Sequence, residues 1–79
     1  MATAARATDV AAIGAQPQVV GFSLAGARIY PANDVEQVRA AWRRLPASVA
    51  VVILTRAAAD ALSAETATPA APLTVVLPP

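Results

Sequence analysis

The 79-residue sequence contains no cysteine, no histidine and no lysine. Without cysteine there is no disulfide and no thiolate nucleophile, and without Cys or His the usual zinc ligands are gone. Without lysine there is no Schiff-base amine and no Walker A loop, and without histidine no Ser-His pair. Composition therefore argues against an enzyme. Charge is also sparse: six arginines against five acids give a net charge of +1, and the one basic doublet is Arg43-Arg44. A nucleic-acid binder carries a clear basic excess, so that class is not expected. The longest apolar run, Val49 to Leu54, is six residues, far from the roughly 18 a spanning helix needs. A secretory leader is not expected either, since Val10 to Ala15 is too short and weak for its apolar core.

What is abundant is alanine, 22 residues of the total, which leaves 23 larger apolar side chains for one thin core. Residues 1–8 hold no large apolar residue after Met1 and read as a disordered lead-in to a single domain over 9–79. Val10 to Ile13 reads as a short strand closed by Gly14. Pro17 to Leu24 reads as a helix, with proline in its first turn and Gly26 as a left-handed stop. On it, Val20 and Leu24 supply an inner face, and Gly21 signals a close backbone approach. Ala27 to Tyr30, closed by Pro31, alternates like a sheet edge.

The clearest helix follows. Asn33 is its expected cap, with Glu36 three residues on completing a capping box. Val35, Val38, Trp42 and Leu45 form an apolar stripe at spacings of three and four, so Trp42 reads as core. Glu36, Gln37, Arg39, Arg43 and Arg44 cover the other side, and Pro46 ends the helix. Val49 to Leu54 reads as a strand covered on both faces. Thr55 caps a third helix, Arg56 to Ser63, whose one large apolar residue is Leu62. Glu65 to Ala71 reads as a loop and Pro72 to Leu77 as the last strand.

The alternation β-α-β-α-β-α-β predicts an α/β fold: a small four-stranded parallel sheet, order 2-1-3-4, with helices on both faces, flavodoxin-like. Ligands of such sheets bind at the carboxyl ends of the strands. Those ends are Gly14-Ala15-Gln16, Pro31-Ala32-Asn33, Thr55-Arg56 and Pro78-Pro79. Their one carboxylate, Asp34, is better explained by the helix it begins. Receiver domains share this architecture but need acids after strands one and three, where this chain has Ala15 and Thr55. The three glycines form no G-x-G-x-x-G fingerprint, and no acid stands beside a base.

One set of motifs is more specific. Ile13-Gly14, then Val20-Gly21-Phe22-Ser23-Leu24-Ala25-Gly26, then Val52-Ile53-Leu54-Thr55, then Pro72-Leu73 with Val75-Val76-Leu77-Pro78 resemble, in order, the F subunit of the V/A-type (vacuolar/archaeal-type) ATPases. The G-F-x-L-A-G element is the most specific, and the match spans about Val10 to Pro78. The resemblance implies a non-catalytic component of the rotary central stalk. Such a component binds the coiled-coil D subunit of the stalk, sits near the membrane-rotor connector, and couples ATP hydrolysis or synthesis elsewhere in the complex to proton or sodium transport. It implies a cytoplasmic, peripheral location, with no cofactor, no nucleic acid and no direct membrane insertion. The expected interface is Gln16, Gly21, Phe22, Gly26 and Arg28. The chain departs from the family at Ala15, Ser23 and Arg56-Ala57-Ala58, where polar or acidic residues are common. The family's C-terminal helix has no counterpart before Pro79. The alternative is a stand-alone flavodoxin-like small-ligand or nucleotide-binding domain, its ligand at Gly14 to Gln16 and Thr55-Arg56.

Overall fold

In the computed structural model, which describes residues 9–68 and 71–78, four parallel strands form one sheet in the order β2-β1-β3-β4. The strands are β1 (Asp9–Gly14), β2 (Arg28–Pro31), β3 (Val49–Leu54) and β4 (Leu73–Val76), joined by the helices α1 (Gln16–Val19), α2 (Val35–Arg43) and α3 (Arg56–Ala61). This is the α/β architecture expected from the alternation of elements, with the expected strand order. The lead-in expected over residues 1–8 lies outside the described residues.

Backbone bonds fasten the strand ends. Asp9 N–H donates to Ser48 O (2.8 Å), Ala32 N–H to Gly14 O (2.8 Å), Thr55 N–H to Ile13 O (3.2 Å) and Leu77 N–H to Leu54 O (2.8 Å). Between β1 and β3 the register shifts at Asp9/Val10, so that Asp9 faces Val49 but Val10 faces Val51. Beyond it, Ala11 pairs with Val52 and Ile13 with Leu54.

Those four side chains point to one face. There they meet Val38 and Ala41 of α2, Ala58 of α3 and Leu62 just after it, all buried in a single cluster. Tyr30, Trp42 and Leu45 pack half-buried against its border. Small residues at 11, 41 and 58 bring helix and sheet close together, which is how a chain so rich in alanine fills its interior. The opposite face holds buried Ala12 and Val19, outside that cluster, where α1 and the turn after it pack on β1 and β2.

Local chemistry explains the helix ends, and several details differ from the sequence reading. First, α2 is capped by Asp34 rather than Asn33. Asp34 is extended (φ −145°, ψ 174°) and its Oδ1 accepts from Gln37 N–H at 2.8 Å. Gln37 Oε1 in turn accepts from Asn33 N–H at 2.7 Å. The cap is thus displaced by one residue from the expected Asn33/Glu36 box, and Gln37 reaches back past Asp34 to the N–H of the residue before the cap, so the return bond differs from that of a capping box. Asparagine and aspartate cap equally well, and here the aspartate also sets its charge at the positive end of the helix. Second, Val35 does not belong to the buried stripe and is 51% exposed. It is the first residue of α2.

Third, the helix expected over Pro17 to Leu24 is α-helical only to Val19 and continues as a tighter 3-10 turn, Val20–Ala25. Gly21 weakens α-helix there, and Ser23 Oγ donates back to Val20 O at 2.8 Å. The tighter winding rotates the faces, so Val19 is buried while Val20 is 49% exposed. Val20 is therefore not the inner residue it was read to be. Gly26 ends the turn in the left-handed region (φ 89°), its N–H donating to Ser23 O at 3.1 Å. The segment read as a loop over Glu65 to Ala71 begins with a short 3-10 turn, Glu65–Ala67, tied to α2 by Arg39 Nε and Glu65 Oε2 at 3.7 Å.

Candidate functional site

Two places have a claim to function: the crevice at the carboxyl ends of the strands, and the ridge formed by α1 and its 3-10 turn.

The crevice is a cleft of about 230 Å³ between α2 and α3, lined largely by Ala15, Ala32, Val35, Val38, Ala57 and Ala58. Two of its polar side chains, Thr55 and Asp34, are already engaged. Thr55, buried, spends Oγ1 on the N–H of Ala58 (3.2 Å) as the cap of α3. Asp34 caps α2. No group of three metal-ligating side chains occurs among the described residues. Gly14 and Thr55, which the ligand-binding alternative placed at its centre, are packed on each other. A Cβ on Gly14 would run into the Thr55 side chain, lying 2.7 Å from Oγ1 and closer still to Cγ2. What the sequence motif Ile13-Gly14 supplies here is clearance for a cap, and the cleft is a small apolar notch.

A larger open hollow, about 700 Å³, lies at the opposite end of the sheet between Trp42, Leu45, Pro46, Pro72 and Leu73. Sequence reasoning assigned Trp42 to the core. It is half-buried, packing on the core cluster and lining this hollow as well. Nothing in its spacing distinguishes the two roles.

Of the five residues expected at an interface, four follow the ridge along its length and the fifth, Arg28, lies off it, so they do not converge on one spot. Gln16 opens α1 at the carboxyl end of β1 and is exposed. Gly21 lies midway and is exposed, with nothing within 4 Å of where its Cβ would be. The close approach inferred for Gly21 is therefore not made by any described part of this chain. Phe22 is half-buried. Gly26 turns the chain at the far end, and Arg28 begins β2 there. Arg28 stands on the other face of the sheet, in register with Ala11 of the core cluster. Its Nε lies 3.4 Å from Asp9 Oδ2, the oxygen that also accepts from Ser48 Oγ at 2.7 Å. Gln16, Gly21, Phe22 and Gly26 thus share one ridge, while Arg28 serves a polar clasp at the amino ends of β1 and β2. The clasp partners, Asp9 and Ser48, went unnoticed in the sequence because 39 positions separate them.

The architecture is that of a small parallel α/β domain in which Asp34 and Thr55 cap helices and Asp9 ties strand ends together. Comparison with known proteins gives the assignment. The family described as the ATP synthase (F/14-kDa) subunit matches residues 10–78. No curated protein and no solved structure matches the chain. The chain belongs to this ATP synthase (F/14-kDa) family, which comprises the F subunits of the V/A-type ATPases. Among the described residues, no helix is long and apolar enough to cross a membrane.

Proposed function

We propose that this chain is a non-catalytic central-stalk component of a V/A-type rotary ATPase. It docks on the coiled-coil D subunit of the stalk, near the membrane-rotor connector. It helps couple ATP hydrolysis or synthesis on other subunits to proton or sodium movement. Its place is peripheral to the membrane complex, on the cytoplasmic side. The observation that carries this reading is the family match, which runs through every strand and helix of the domain.

The ridge supports the docking mode. Gly21 leaves a stretch of backbone without a side chain on an exposed surface. A helix of the stalk can approach that stretch to backbone distance, which any Cβ would prevent. Val20 beside it, half-exposed, offers apolar area at the same place. Gln16 and Phe22 extend the contact on either side, and Gly26 fixes the direction in which the ridge ends.

Co-expression with the coiled-coil stalk protein tests the reading. The two chains are expected to purify as a stoichiometric complex that survives size exclusion. Recovery of the two as separate species under low-salt conditions would overturn it.

A further inference from the structure

We draw no further inference here: the strongest candidate, the open hollow at the amino ends of the strands between Trp42, Pro46 and Leu73, is lined by uncharged residues alone, and nothing in the structure shows what covers it.

Discussion

Gly14 and Thr55 share one side-chain volume: the last residue of β1 has no Cβ because the cap of α3 fills that position. Two motifs about 40 positions apart are thereby explained together. Thr55 must be held against the end of β1, where its N–H donates to Ile13 O at 3.2 Å while its hydroxyl accepts from Ala58 N–H at 3.2 Å. Gly14→Ala is expected to destabilise the domain by about 2 kcal/mol or more, the cost of overpacking a rigid contact. Combining it with Thr55→Ser, which removes Cγ2 and keeps the hydroxyl, should recover part of the loss. Urea denaturation of the four species of the cycle measures that coupling, and additive effects would show that the two residues do not interact.

The position of the α2 cap is a second testable point. Asp34→Ala should cost about 1 kcal/mol, since the Gln37 N–H loses its acceptor. Asn33→Ala should change stability by about 0.5 kcal/mol at most, because Asn33 engages α2 through its backbone N–H. Thermal unfolding of the two variants separates them, and the reverse order would return the cap to Asn33.

Burial sorts the apolar residues of the helices. Leu62 is fully buried between α3 and the sheet, so Leu62→Ala should cost roughly 2–5 kcal/mol. Val35, 51% exposed at the start of α2, should tolerate alanine within about 0.5 kcal/mol. Equal losses at both sites, measured by chemical denaturation, would contradict this packing.

Gly26 holds a left-handed φ of 89° with open space around its Cβ position. Gly26→Ala is therefore opposed by backbone conformation alone and should cost about 1–2 kcal/mol. Gly21 has the same open space without a left-handed φ. Gly21→Ala there should raise stability slightly, by about 0.5–1 kcal/mol, through the better helix propensity of alanine. Opposite signs at two exposed glycines of one turn, read as shifts in melting temperature, are the expected result.

Most of the fold could be read from the residues. The β-branched run Val49 to Leu54 and the punctuation by Gly14, Gly26, Pro31 and Pro46 delimit the strands and α2, and alternation fixes parallel topology and strand order. The misread details have local causes. Asn33 and Asp34 are adjacent and equally good caps, so the sequence alone leaves the start of α2 ambiguous by one residue. The change from α to 3-10 winding after Val19 alters which side chain faces inward, and no apolar period records it. The candidate site was legible only in part. The order of motifs identified the family, and Gly21 stood out as a glycine inside a helix. The clasp of Asp9, Arg28 and Ser48 joins three separate segments, and its members look unremarkable one at a time. The exposure of Leu73 and Val75 on β4 is likewise a property of topology, because α1 lies over β1 and β2, the other half of the sheet.

The central claim is that the ridge meets a stalk helix at the bare backbone of Gly21. Titration calorimetry of the purified chain into the coiled-coil stalk protein tests it most directly, comparing wild type with Gly21→Arg. Open space around Gly21 means that the variant should keep its fold, confirmed by an unchanged circular dichroism spectrum. The account predicts binding by the wild type and a loss of at least about 100-fold in the variant, equivalent to about 2.7 kcal/mol. Equal affinity of the two chains for the stalk protein would contradict it.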